Sequence, residues 1–246
     1  MTKLRTSEMT LPGYMCDVRG GLRPSSCMEL CQEVATWDAF DHGFDDPHLM
    51  AAHNAVWVLA RMKVVFRKRP ERFKDFSLKT WHKGLNSIFF IRDYRMTDAS
   101  GEVLVDSTSS WVIMDVESRR AVRPATVSDV IPPEPLWDGD ALEENAVKVV
   151  IPKGLETRNA GSHRIAYSDV DPNHHANNTR YVSWAMDCLP AGITFGNDLR
   201  ELEINFNREA VPGEDVALVH ACDGGDHYVE GLAPDGSQVF ICKLSF

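Results

Sequence analysis

What most constrains the fold of this 246-residue chain is a pattern that occurs twice: a helix-forming segment, then a run of strands, with a proline-rich stretch between the copies. In the first copy, residues 24–43 combine Pro24, suited to a first helical turn, with the capping hydroxyls Ser25 and Ser26 and the stop Gly43. Cys27, Leu30, Cys31, Val34, Ala35 and Trp37 recur there at close to helical spacing. Strand-like runs follow at residues 55–66, 76–82, 88–96 and 103–115, and Asp98-Ala-Ser-Gly101 supplies a tight turn. Residues 123–145 hold Pro124, Pro132, Pro133, Pro135 and Gly139. Clustered prolines neither donate to a ladder nor sit inside a helix, so this stretch reads as a linker. In the second copy, residues 164–167 end a strand, 177–189 read as a helix, and 199–206, 215–222, 227–232 and 239–246 read as strands, with turns at Pro212-Gly213, Asp223-Gly-Gly225 and Pro234-Asp-Gly236. A helix followed by antiparallel strands, twice and without βαβ alternation, implies an α+β fold in which each of two sheets wraps one long helix. The expected division is 1–122 for the first domain, 123–150 for the linker and 151–246 for the second domain.

A net charge of −10 argues against a protein that coats nucleic acid or an anionic membrane. No stretch approaches the roughly 18 apolar residues of a membrane-spanning helix, and no apolar core follows the first basic residues, so the expected location is cytoplasmic. The six cysteines form no Cys-x-x-Cys pair and read as buried free thiols. One basic run, residues 61–74, stands out: it is either a charged strand edge and turn that discourages sheet-to-sheet pairing, or a docking patch for an acidic carrier.

The densest polar cluster is Asp169, Asp171, Asn173, His174, His175, Asn177 and Asn178. Asp171, Asn173 and His175 alternate, so an extended segment would point all three to one side. Asn177 or Asn178 can cap the following helix, whose apolar face is Tyr181, Trp184, Ala185 and Cys188. A carboxylate, an amide and an imidazole beside a helix N-terminus can activate water and stabilise the oxyanion of a thioester under attack. Taken alone, such a turn before a helix is more often just a capped loop. A metal site on His174, His175 and Asp171 is disfavoured, because adjacent histidines on an extended chain point apart.

The segment Asp169-Val-Asp171-Pro-Asn173-His-His175-Ala-Asn-Asn178-x-x-Tyr181-x-x-Trp184 resembles the signature of the acyl-[acyl-carrier-protein] thioesterases of plants and bacteria. The resemblance extends to Leu202-Glu-Ile-Asn-Phe-Asn-Arg208-Glu209, Val56-Trp57-Val-Leu-Ala-Arg61-Met62, Arg92-Asp93 and Ser110-Trp111-Val-Ile-Met114-Asp-x-x-x-Arg119-Arg120, in order over about residues 10–246. It implies a double hotdog fold, the second half catalytic and the first forming much of an acyl tunnel. It implies no cofactor or metal. The expected activity is release of free fatty acid from acyl carrier protein bearing a phosphopantetheine-linked acyl chain. The resemblance assigns catalysis to Asp171, Asn173, His175 and Glu209, with Glu209 and His175 activating water, Asn173 and helix amides holding the carbonyl or the water, and Asp171 orienting the cluster. Attack by Glu209 or Asp171 through an anhydride stays open. So does pairing of Glu209 with Arg208 or Arg164 in a merely structural role. Where many plant relatives carry a cysteine after the glutamate, this chain has Ala210. Trp57, Arg61, Met62, Trp111, Asn177 and Asn178 are the expected substrate-binding residues, although core burial alone would account for Trp57, Met62 and Trp111. His163 reads as a surface or supporting residue.

Three rival activities share this fold: an acyl-coenzyme A thioesterase, a 3-hydroxyacyl thioester dehydratase and a non-catalytic acyl-binding protein. A dehydratase does not need the Asp-x-Asn-x-His set. A binding regulator would be expected to carry a basic DNA-binding appendage, which the sequence lacks. A homodimer remains open, since a fused pair of hotdog units already contains the pairing that single units obtain by association.

Overall fold

The structure, a computed structural model, describes residues 4–246; residues 1–3, at the start of the segment read for a leader, lie outside it. The first half contains β1 (Arg5–Thr10), α1 (Pro24–His42), α2 (Asp46–His53), β2 (Ala55–Phe66), β3 (Asp75–Asn86), β4 (Phe89–Asp98) and β5 (Val103–Asp115). The second contains β6 (Thr157–Arg164), α3 (Asn178–Asp187), α4 (Ala191–Thr194), β7 (Glu201–Phe206), β8 (Asp215–Asp223), β9 (Asp226–Leu232) and β10 (Gln238–Ser245). Pro24 opens α1, and Gly43 closes it in the left-handed region at φ 74°, its N–H donating to the carbonyls of Ala39 and Phe40. Three elements escape the sequence pattern, β1, α2 and α4, and β6 already ends at Arg164, the first residue of the expected strand end 164–167. For α2 the signal was present in Asp45-Asp46-Pro47, where the Asp45 carboxylate accepts from the His48 N–H at 3.3 Å.

Instead of two separate sheets, the ten strands form one antiparallel sheet in the order β1-β3-β4-β5-β2-β7-β10-β9-β8-β6. The seam is a direct pairing of β2 with β7, from Arg61 opposite Asn205 to Val65 opposite Glu201. Each half alone would leave β2 or β7 as an edge with unpaired backbone groups, and pairing the two edges satisfies both. β2 bulges between Leu59 and Arg61 against β5.

Both long helices pack on one face. α1 lies against β1, β3 and α3, and α3 against β9 and β10. A single buried cluster joins Cys27, Met28, Cys31 and Val34 of α1, Tyr181, Val182 and Ala185 of α3, Met62 and Val64 of β2, and Leu202 and Ile204 of β7. Cys27 and Cys31 are buried one turn apart, whereas Cys222 is exposed, unlike the buried thiol expected of it.

Residues 123–150 are not a loose spacer but a strap. Glu203 and Asn205 alternate with Leu202 and Ile204 on β7, so they point to the face opposite the helices. There the Glu203 carboxylate accepts from the Val147 N–H at 2.6 Å. The Asn205 amide accepts from the Val149 N–H at 2.7 Å and donates to the Val147 carbonyl at 2.9 Å. Further along, Asp93 of β4 accepts from the Ala141 N–H at 2.8 Å, and the Trp81 indole donates to the Gly139 carbonyl at 3.0 Å.

Candidate active site

The polar turn is a tight reversal, not the extended segment that alternation implied. The Asp171 N–H donates to the His175 carbonyl, and the His174 N–H to the Asp171 carbonyl, each at 3.0 Å. The Asp171 carboxylate accepts from the Asn173 N–H at 2.8 Å. His174 sits at φ 62°, and Val170 and Ala176 close the reversal as a β-bridge. An aspartate that bonds the backbone two residues ahead favours a turn over a strand, and here that local chemistry decides.

One backbone bond docks this turn on the segment following β7: the Ala176 N–H donates to the Ala210 carbonyl at 2.8 Å. It brings His175 beside Glu209, with Nε2 and Oε2 3.4 Å apart. The Arg119 guanidinium, from the turn after β5, also pairs with Glu209 Oε2. Arg208 and Arg164, the expected structural partners of Glu209, are paired elsewhere, with Glu214 at 2.6 Å and Asp215 at 2.9 Å. The Ala210 side chain is fully buried in the core.

A cleft of ≈ 720 Å³ holds Asp171, Asn173, His175 and Glu209 together with Trp57, Tyr181 and Arg119. A smaller cavity of ≈ 280 Å³ adjoins it, lined by Ala35 and Ala39 of α1, His82, Phe90 and Trp111, and shares Trp57, Asp171, Asn173 and Asn178 with the cleft. The two indoles are fixed. Trp57 donates to the Phe44 carbonyl and Trp111 to the Ser109 hydroxyl, each at 2.7 Å, and the Trp57 and Trp111 rings meet edge-on at 6.2 Å. Burial, reinforced by the Arg92 charge, pushes the His82 pKa down to about 4, and burial pushes the Tyr181 phenol up to about 12. His82 and Tyr181 therefore line these spaces as neutral groups near pH 7.

Asn177 caps α3, its side chain accepting from the Thr179 N–H at 3.0 Å. The side chains of Asn178 and Gln32 exchange hydrogen bonds of 2.9 and 3.0 Å, tying the start of α3 to α1. Met62 is fully buried in the core, and Arg61 stacks on Phe89 at 4.9 Å; neither lines the cleft or the cavity. His163 stacks on Trp184 at 4.2 Å and bonds Asp169 at 2.9 Å, holding the polar turn from behind. Among the described residues, no group of three or more His, Cys, Asp or Glu is arranged to hold a metal ion, and no helix is long and apolar enough to cross a membrane.

Among the residues that line the cleft and the cavity, Gln32 and Arg119 had no expected site role. Gln32 carried a faint signal, a polar residue beside the apolar stripe of α1; Arg119 carried only its place in the family-like segment that follows a strand. The basic run is largely neutralised internally: Lys68 pairs with Glu102, Arg69 with Asp17 and Asp198, and Arg67 with Asp106. Its densest part, Arg67 to Arg69, lies past Phe66, about 30 Å along β2 from Trp57 at the usual rise of a strand.

Residues 2–130 match the family model for the acyl-ACP thioesterase N-terminal domain, and residues 153–236 match the model for the C-terminal domain. The chain is 29% identical over 212 residues to the chloroplastic palmitoyl-acyl carrier protein thioesterase of Gossypium hirsutum, covering 82% of this chain and 48% of that protein. It is 29% identical over 198 residues to oleoyl-acyl carrier protein thioesterase 2 of Arabidopsis thaliana, covering 73% and 51%. It thus spans about half the length of these curated relatives. Among solved structures, an acyl-ACP thioesterase from Bacteroides thetaiotaomicron superposes with a TM-score of 0.86 at 21% identity, covering 99% of this chain and 97% of that one. The 12:0-ACP thioesterase from Umbellularia californica superposes at 0.84 and 20% identity, covering 98% and 96%. The fold is therefore that of these hotdog-type thioesterases. With family matches running through both halves, the chain belongs to the acyl-ACP thioesterase family.

Proposed function

We propose that the protein hydrolyses fatty acyl thioesters of acyl carrier protein, releasing a free fatty acid and the carrier thiol. In this reading each half is one hotdog unit built on α1 or α3, the first half (1–122) supplying the acyl cavity and the second (151–246) the chemistry, joined through 123–150. The observation that carries it is the His175–Glu209 pair, 3.4 Å apart, in a cleft that adjoins a cavity walled in part by Trp57, Phe90 and Trp111.

The acyl chain lies in the cavity against Trp57, Phe90 and Trp111, and the thioester carbonyl reaches the cleft beside Asn173. Glu209, with His175, takes a proton from water as the water oxygen attacks the carbonyl carbon. The developing oxyanion needs a donor. Among the described residues the Asn177, Thr179 and Arg180 N–H groups are already bonded, to the Asp169 carbonyl and to the Asn177 side chain and carbonyl. The Asn178 N–H is thus the donor in the first turn of α3, where the helix dipole adds to it. The tetrahedral intermediate collapses by breaking the C–S bond, and the proton held by the pair passes to the departing thiolate. Asp171 holds the turn in shape.

The test is thiol release from a series of acyl carrier protein and coenzyme A thioesters, medium to long, by the wild type and Glu209→Gln. Hydrolysis is expected, faster on the carrier protein, with a loss of about 100-fold or more in Glu209→Gln. Full activity in that variant would remove Glu209 from the mechanism. Tight acyl binding without release from either thioester would make the chain an acyl-binding protein. A single turnover in oxygen-18 water places the label in the fatty acid if water attacks directly. An anhydride opened at the glutamyl carbonyl returns unlabelled acid on the first turnover and leaves the label in the enzyme carboxylate.

A further inference from the structure

The cleft carboxylate of the second half is held by a cation from the first. We propose that Arg119 is a positioning residue for the hydrolysis: by anchoring Glu209 Oε2 it keeps the carboxylate beside His175 and turns Oε1 toward the attacking water. The proposal rests on the hydrolase reading above.

Three observations carry it. The first is the arm that presents the guanidinium, which is built as a rigid turn. Past the end of β5 the chain folds back on itself, the Asp115 N–H donating to the Arg120 carbonyl at 3.0 Å, the Val122 N–H to the Ile113 carbonyl at 2.8 Å and the Arg119 N–H to the Asp115 carbonyl at 2.9 Å. The Asp115 carboxylate clamps the turn by accepting from the Ser118 N–H at 2.7 Å and the Ser118 hydroxyl at 2.6 Å. Within it Arg119 adopts φ 56°, a conformation that non-glycine residues seldom take and that accumulates at functional positions.

The second is Glu209 itself, which stands on irregular chain beyond β7 with 40% of its side chain exposed. Its partners are Arg119 and His175, both on Oε2. Without the guanidinium only the 3.4 Å contact with His175 would restrain the side chain in an open cleft, and a displacement of an ångström at a reacting group is costly. The third is that the pair contributes little to folding, because Arg119 is 54% exposed and exposed ion pairs are weak. A rigid, strained turn that aims a cation at one carboxylate therefore has its consequence in the cleft and not in stability.

Arg119→Ala, Arg119→Lys, Glu209→Gln and the Arg119→Ala/Glu209→Gln double variant are compared on an acyl carrier protein thioester under single-turnover and steady-state conditions. Arg119→Ala is expected to lower kcat about 10- to 100-fold with KM within about twofold and an unchanged melting temperature. Arg119→Lys recovers part of the loss, and Arg119→Ala has no further effect once Glu209 is Gln. An unchanged kcat, a rise in KM alone, or an equal loss in both backgrounds overturns the proposal; the second of these results would instead make Arg119 a carrier contact. Failure of the wild type to hydrolyse thioesters overturns the hydrolase reading first, so the two failures are told apart.

Discussion

Mild acid is expected to destabilise this protein through His82. The ring is 2% exposed, lies 6.3 Å from Phe44 and 6.1 Å from Phe90, and faces the Pro132 carbonyl with Nε2 at 2.9 Å. Burial first, and the Arg92 charge second, hold its pKa down from 6.5 to about 4. An unfolded chain therefore takes up a proton near pH 6.5 that the folded chain refuses until about pH 4. The stabilisation present above pH 6.5 drains away as the pH falls through that window, and below it both forms are protonated. A gap of about 2.5 pH units at ~1.4 kcal/mol each amounts to roughly 3 kcal/mol, against a usual margin of about 5–15 kcal/mol for a whole domain. The assay is urea unfolding from pH 8 down to 4 for the wild type and His82→Gln, which keeps an N–H donor for Pro132 but cannot titrate. The comparison must be with the variant, because burial also lowers His220 and His227, and both lose stability in the same direction. The wild type should lose about 3 kcal/mol more than His82→Gln across the window. Parallel declines would refute the claim that His82 is held neutral.

The buried pair of Arg92 with Asp38, at 2.6 Å with side chains 8% and 3% exposed, makes Arg92→Met expensive. It strands a buried carboxylate, and a loss of about 3–5 kcal/mol in urea unfolding is expected. Asn205→Ala removes two of the three bonds that fasten the strap at residues 147 and 149, leaving that of Glu203, and should cost about 1–3 kcal/mol with faster proteolysis within 123–150; an unaltered cleavage rate would mean that other contacts hold the strap. Ala39→Phe pushes an aromatic ring into the ≈ 280 Å³ cavity, so the preferred acyl length should shorten in a chain-length series. An unchanged preference would show that the chain does not enter there.

Much of the architecture is legible in periodicity. Pro24 and Gly43 bracket α1, and β2 and β5 fall where their apolar runs place them, because local propensity and burial agree at those positions. The joining of two sheets into one is not legible, since strand pairing across about 140 residues leaves no local mark on Arg61 or Asn205. β1 was hidden because an edge strand with every second residue exposed looks like polar coil. In the cleft, the residue types were readable and the path between them was not. Alternation suggested an extended Asp171–His175, but Asp171 bonds its own backbone and reverses the chain. Glu209 needed the family resemblance to be noticed, and Arg119 needed the fold, because a guanidinium 90 positions away in sequence becomes a neighbour only once the halves are joined.

That seam also determines how the molecule comes apart. Separated from its partner, the first half would uncover Met62 and Val64, and the second Leu202 and Ile204, all fully buried in the intact protein, beside raw strand edges at β2 and β7. Such surfaces recruit other chains. Neither half is therefore suited to exist folded by itself, and the whole should melt in one cooperative step. A single protease cut in the connecting strap would leave two fragments that migrate together until denaturant is added.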